Sequence, residues 1–413
     1  MSVVKIKYLV LGAGISGLTF AEQKASKDIL IIEKEERPGG LCRTFYKDGY
    51  IWDIAGHFFH FHSEETKKYV MNLMKDVEMK SATKCAKVFY NGHYMDAPFQ
   101  YNIHQLSQDE FIECLTDLYF SDIKNIENFS EYVVSKYGNG IANKFLIPYN
   151  EKLYACKMDE LDKNAMGQFL PKLDFRMLMN FYKGYKGATY NDSFLYPANG
   201  CGEIINALVS KIPSGKIQTK EEVISIDTKK KIVMSDHGVY EYEYLINSIP
   251  LHQFASMCGI KSIGFKYNKV LVLNMGFDLP AIDKNISWIY FPGDEFFYRV
   301  GFFSNIAGKE KLSIYVEIGY GSEEEVDLEQ AKKRTLEDLK KVNIIDEHRL
   351  VSSMDYIISP AYVHLTESSK AVSRDIIDKF EKEDIYMLGR YGRWEYSAMD
   401  DSIEQAIALA SEI

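Results

Sequence analysis

Tyr8-Leu-Val-Leu-Gly-Ala-Gly-Ile-Ser-Gly-Leu18 constrains this fold more than any other stretch: an apolar strand runs through Gly12, Gly14 and Gly17 into an apolar helix. Gly12 permits a tight turn, Gly14 lets backbone approach a pyrophosphate, and Gly17 lets helix and strand pack closely. The free N–H groups of the helix N-terminus then face the anion. Glycine turns also close ordinary βα units, so the reading needs support from further along the chain. A second apolar strand, Ile29-Leu-Ile-Ile-Glu33, supplies it by ending in an acid at the distance where a carboxylate accepts ribose hydroxyls. Glu33 is assigned that role over a solvated strand end.

The next stretch, Glu33-Lys-Glu-Glu-Arg-Pro-Gly-Gly-Leu-Cys-Arg-Thr44, resembles the second signature of the amine-oxidase-like FAD flavoproteins. The resemblance implies FAD as cofactor, with Gly40 in close backbone approach and Arg43 adding positive charge near the phosphates. An exposed basic loop is the competing reading.

A chain of 413 residues exceeds one ordinary core, so two or three lobes are expected. Its net charge of −10 argues against nucleic acid or an anionic membrane as the main partner. Any anionic substrate must therefore meet local cations. Cys42, Cys85, Cys114, Cys156, Cys201 and Cys258 form neither a CxxC pair nor a dense disulfide spacing, which predicts free thiols and no zinc. There is no signal-like segment and no apolar run of about twenty residues. A cytoplasmic protein without membrane insertion is expected.

Read in order, the chain predicts an α/β fold with a Rossmann-like, discontinuous FAD-binding domain over 1–65, 195–260 and 384–413. A mainly helical lobe over 66–194 and a mainly antiparallel sheet domain over 261–383 complete it. Gly49 to His62 reads as a short strand feeding an aromatic loop. His60 and His62 share a face by strand periodicity, but no nearby Cys or paired acid completes a ligand set, so no metal is expected. A helix is predicted from Ser63 to about Lys80, a hairpin around Asn91-Gly92, and helices from Leu106 to Tyr137 broken near 121–126. Phe145 to Tyr154 reads as a proline turn, and Phe194 to Glu203 as a Pro/Gly loop before a helix to Lys211. Strands are expected at 222–227, 231–234 and 244–250, then at 270–277, 288–291, 296–303 and 312–317. A charged helix over 323–342, a strand-to-loop step at 384–390 and a last helix from Asp401 follow.

Stretches spread along most of the chain resemble the UDP-galactopyranose mutases, nearer the eukaryotic type. They are Gly56-His57; Pro98-Phe-Gln-Tyr-Asn-Ile103; Pro148-Tyr-Asn-Glu-Lys-Leu-Tyr-Ala155; Tyr196-Pro-Ala-Asn-Gly200; Tyr290-Phe-Pro292 with Phe297-Tyr-Arg-Val-Gly-Phe-Phe-Ser-Asn305; and Gly389-Arg-Tyr-Gly-Arg-Trp-Glu-Tyr396. The resemblance implies an isomerase that interconverts pyranose and furanose forms of a nucleotide sugar through a covalent adduct on N5 of reduced FAD. NAD(P)H would serve only as external reductant, and the setting would be cell-surface polysaccharide biosynthesis.

By the same resemblance Arg299 and Arg390 hold the diphosphate, and His57 lies beside the isoalloxazine. Tyr290, Tyr362 and Tyr396 surround the diphosphate, while Phe99 and Gln100 lie on the uracil side, with ordinary core as the competing reading for Phe99. Gly56, Gly389, Asp400 and Ser402 join the cofactor set. Three positions depart from the family pattern: Ala97 and Asn199 replace a tyrosine and an arginine on the substrate side, and Asp400 replaces an amide. The base and the sugar are therefore open. A rival class, the amine-oxidase-like or protoporphyrinogen-oxidase-like enzymes, shares the FAD signature but passes hydride from substrate to flavin and then to oxygen. It needs an apolar or cage-like pocket, and two arginines count against it.

Overall fold

The computed structural model describes residues 3–120, 125–166, 170, 173–184, 193–260 and 264–413. Val3–Leu11 is the centre of a seven-stranded sheet, lying parallel between Ile29–Ile32 and Val239–Asn247. Ile217–Gln218 extends one side in parallel, and Ile385–Met387 pairs in parallel with the far end of Val239–Asn247. The antiparallel strands Ile232–Ser235 and Val223–Asp227 complete it. Leu9, Val10, Leu11 and all of Ile29–Ile32 are buried, the pattern of strands covered on both faces. Helices Ile15–Lys24 and Met399–Glu412 pack against each other beside this sheet. The first strand, the return at 239–247 and the C-terminus thus build one layer from separated parts of the chain.

A second sheet has eight strands, in the order Leu350–Ile358, Lys266–Phe277, Ser313–Gly321, Arg299–Phe302, Trp288–Tyr290, Ala86–Tyr90 and His93–Asp96, with Val363–His364 also on Lys266–Phe277. Its pairs are antiparallel except that Trp288–Tyr290 runs parallel to Ala86–Tyr90. The Asn91-Gly92 hairpin forms as expected, with positive φ at both turn residues, and is hydrogen-bonded into this sheet. Helix Leu328–Lys341, capped by Asp327, buries Ala331, Thr335 and Leu339, and Leu339 joins a second core with Met275, Phe297 and Val316.

Several sequence expectations are corrected. The helix from Ser63 ends at Leu73, and Met79–Thr83 is a strand paired with Ser193–Pro197 where a Pro/Gly loop was expected. Phe194 and Tyr196 are buried on either side of the less buried Leu195, the period-two pattern of a strand, and Pro197 tolerates its last position. Ala142–Leu146 and Ile147–Tyr154 are helical instead of a proline turn. Pro148 cannot donate to residue 144, and the chain meets this with a π-turn rather than a break. Leu350–Ile358 and helix Glu367–Glu381, with its Thr366/Ser369 capping box, had no sequence expectation. Gly389–Gly392 is a short helix rather than a loop. Helices Gln108–Phe120 and Phe129–Ile141 match the predicted pair. Residues 121–124, within the predicted break, lie outside the described residues, as do 167–169, 171–172 and 185–192 in the predicted helical or irregular stretch.

Candidate active site

A cavity of about 770 Å³ lies where the two sheets and the last helix meet, and most of the predicted site residues line it. One end of it is built by the glycine turn. Gly12 sits at φ +93°, and a Cβ there would crowd Ser248. A Cβ on Gly17 would collide with the Gly12 carbonyl, so Gly17 serves packing and does not line the cavity. A Cβ on Gly14, by contrast, meets nothing within 4 Å and would point into open space. Two helix N-termini reach this end, through Gly14-Ile15-Ser16 and through Ala398-Met399-Asp400, and Ser402 lies in the first turn of the second. The Glu33 carboxylate is buried, accepting from the Ala13 and Glu35 amides at 2.7 and 2.9 Å. It draws the turn against the strand end and still lines the cavity.

The Gly-Gly loop docks on the first turn, the Gly39 amide donating to the Ala13 carbonyl at 2.7 Å. Arg43 lines the cavity, but its guanidinium braces this loop: Nε donates to the Gly40 carbonyl, Nη2 to the Tyr356 hydroxyl, and Nη1 lies 3.5 Å from Glu35. Gly389 lies off the wall, where a Cβ would collide with Ser16. An open approach at Gly14, two helix dipoles and a buried acid at the strand end together fit a dinucleotide such as FAD.

The opposite wall is the second sheet, and its register explains the constellation. Tyr290 pairs with Arg299, Arg299 with Glu317, Glu317 with Val272 and Val272 with Tyr356. One row across five strands therefore places Tyr290, Arg299, Glu317 and Tyr356 side by side facing the cavity. The next row is Trp288, Gly301 and Tyr315. Cβ atoms on Gly301 and Gly56 would both overlap Tyr315, so these two glycines make room for its ring. Sequence reading missed Glu317. The available signal was an acid two residues after Tyr315, in phase with it, inside an otherwise apolar strand.

Glu317 changes the meaning of Arg299. The guanidinium forks onto the buried carboxylate, Nε to Oε2 and Nη2 to Oε1 at 2.8 Å, so its charge is matched within the protein. Arg390 differs. Its Nη1 donates to the Ser397 carbonyl at 3.0 Å, its Nε is buried without a partner, and it stacks on Tyr396, Tyr362 and Tyr391 at 4.5, 5.3 and 5.8 Å. Among the described residues no carboxylate pairs with it. A partly desolvated cation in an aromatic cage, facing a cavity, is arranged for an anion that comes from outside.

Tyr362 lines the cavity and stacks on Tyr396 at 5.9 Å; Tyr396 is not on the wall. Tyr290 lines it with its hydroxyl accepting from Trp288 at 2.7 Å. Phe99 and Gln100 are buried away from the wall, Phe99 stacked on Phe145 as core. Asn199 is exposed and offers only its carbonyl, to Tyr46. Asp400 lines the cavity and accepts from both the amide and the ring of His62, at 3.2 and 2.6 Å, so the His62 ring is directed to an acid of the last helix. His62, Asp400 and Asp401 offer ligand atoms within 4.8 Å of one another, the paired acids that local sequence did not show.

His57 and His60 face the cavity as neutral rings. Burial and then the Arg390 charge hold His57 down to about 4, and burial and then Lys84 hold His60 to about 4. The unfolded chain binds these protons near pH 6.5 and the native state does not, so stability should rise with pH between about 4 and 6.5. Each histidine contributes on the order of 3 kcal/mol over that window. Asp53, fully buried and raised to about 6 by burial, opposes them between about 4 and 6. Replacing both histidines by Gln should flatten the rise in urea-unfolding free energy between pH 4.5 and 7; an unchanged slope would place the titrating groups elsewhere.

All six cysteines are free. No helix of the described residues is long and apolar enough to cross a membrane.

The family model for flavin containing amine oxidoreductases matches residues 15–413. A crystal structure of reduced UDP-galactopyranose mutase superposes with a TM-score of 0.90 at 25% identity, covering 98% of this chain and 95% of that one. A putative protoporphyrinogen oxidase from Exiguobacterium sp. 255-15 gives 0.76 at 16% identity, covering 100% and 99%. Among curated proteins, the corticosteroid-binding protein of Candida albicans is 24% identical over 273 residues, 59% of this chain and 52% of that protein. An inactive all-trans-retinol 13,14-reductase of Danio rerio is 31% identical over 83 residues, 19% and 14% of the two chains. The chain thus spans about half the length, or less, of these curated relatives.

Proposed function

Because this chain belongs to the flavin containing amine oxidoreductase family and is therefore an FAD protein, we propose that it is a nucleotide-sugar mutase, interconverting six- and five-membered ring forms of the sugar with no net oxidation. Arg390 is the observation that carries the reading: a cavity-facing cation with an unpartnered Nε and three tyrosine rings around it, in a chain of net charge −10. The likeness to UDP-galactopyranose mutase over 98% of the chain supports the same ring chemistry. Bound and reduced, FAD would supply the nucleophilic ring nitrogen.

Arg390 binds the diphosphate, and its planar fork suits two phosphate oxygens. Arg299, held in place by Glu317, adds a fixed donor near the charge that develops as the diphosphate departs. Tyr362, backed by Tyr396, closes water out while offering a hydroxyl. His57, neutral at working pH, orients the ring face without adding charge.

Turnover should require reduced flavin yet consume no stoichiometric NAD(P)H. Following NAD(P)H absorbance beside product by chromatography tests this, since one equivalent oxidised per product would make the protein a reductase. A second reading, oxidation with hydride passing to flavin and then oxygen, draws on the Arg299–Glu317 pair, which leaves one uncompensated arginine where two were expected. Substrate-dependent oxygen consumption is its signature.

A further inference from the structure

Among the described residues, five cations line the cavity: Lys34, Arg43, Lys84, Arg299 and Arg390. Arg43 lies against Glu35, Arg299 against Glu317, and Lys34 is exposed. Arg390 and Lys84 remain, each without a carboxylate partner among the described residues. Arg390 is accounted for by the diphosphate. Lys84 is not.

Lys84 is half-buried just before strand Ala86–Tyr90, and its ammonium lies 5.6 Å over the indole of Trp288, which holds it toward the cavity. Around it the wall has a distinct character. Phe58 stacks on Trp288 at 5.5 Å with rings 8° apart, and Phe194 packs against both. His60 stands beside Lys84, neutral, with a buried Nδ1 that has no partner. Phe58, half-buried and on the cavity wall, offers an aromatic face to the C–H side of a sugar ring. The charges also separate: Arg390 and Arg299 act on His57, whereas Lys84 acts on His60 three residues on. The cavity thus has two foci of positive charge.

We propose that Lys84 makes this aromatic corner a subsite for an acidic sugar, so that the preferred ligand is a nucleoside-diphosphate uronic acid rather than a neutral hexose. The inference rests on the diphosphate reading of Arg390. Asn199, exposed and off the wall, supplies no competing contact in the cavity.

The test is equilibrium titration of the FAD-loaded protein with UDP, UDP-galactose and UDP-galacturonic acid, read by flavin absorbance. The parent should bind the uronic acid about tenfold or more tighter than the neutral sugar. Lys84→Met should abolish that preference while leaving UDP affinity unchanged, and Lys84→Arg should keep it. Equal affinities in the parent, or a preference that survives in Lys84→Met, would overturn the inference. Because the parent's preference is read without any variant, a Lys84→Met protein that failed to load FAD would leave that arm standing. Failure of UDP itself to bind the parent would instead remove the diphosphate site, a separate outcome.

Discussion

Arg390→Ala is expected to weaken nucleoside-diphosphate binding by roughly tenfold to over a hundredfold, the equivalent of losing about 1.5–3 kcal/mol of charge-assisted hydrogen bonding. FAD content should stay normal, because Arg390 is held by tyrosines and the Ser397 carbonyl and not by the glycine turns. The ligand-free protein should lose little stability, since no buried carboxylate is orphaned. Arg390→Lys should recover part of the affinity, restoring charge without the fork. Arg299→Ala behaves differently on physical grounds. It strands the buried Glu317 carboxylate, and breaking a buried pair from one side costs about 3–5 kcal/mol, so the variant should unfold early whatever its effect on ligand. Unchanged UDP affinity in Arg390→Ala would take the diphosphate away from this position.

Gly14→Val and Gly17→Ala should separate cofactor binding from folding. Gly14 has an ordinary extended backbone, φ −75° and ψ 176°, and open space beyond its Cα. Valine there should fold with a parental melting temperature but fill the approach to the pyrophosphate, weakening FAD by about a hundredfold or more. Gly17 has no such space. Even a methyl group meets the Gly12 carbonyl, so Gly17→Ala should destabilise the apoprotein by about 1–3 kcal/mol or more through overpacking. Flavin content at saturating FAD and thermal unfolding of both variants decide it; a yellow, fully loaded Gly14→Val protein would refute the assignment.

The glycine-turn end of the cavity was legible because each of its residues acts through local backbone geometry. Gly12, Gly14, Gly17 and Glu33 announce a turn, an approach, a packing contact and a strand end within one βαβ unit. The substrate half is built across strands far apart in sequence, and what sequence shows of it is thinner. Arg299 was found, but its partner Glu317 comes from a strand whose register only the fold sets. Tyr315 fits because Gly301 and Gly56, from two different elements, lack side chains. Phe99, read for the nucleobase side with core as the alternative, stacks inward on Phe145, a choice decided by packing that no local pattern records. Strand Ser193–Pro197 was taken for a loop because its Pro and Gly neighbours signal turns, yet it pairs with Met79–Thr83, more than a hundred residues earlier.

The central claim is that this cavity changes the ring size of a nucleotide-linked sugar. It is tested most directly by incubating dithionite-reduced, FAD-loaded protein with a panel of nucleoside-diphosphate pyranoses and furanoses and separating the ring forms by chromatography. The account predicts the same equilibrium mixture of pyranose and furanose from either starting form of at least one member, and no interconversion by the oxidised protein. Reduced protein that binds UDP tightly yet leaves every ring form unchanged would contradict it.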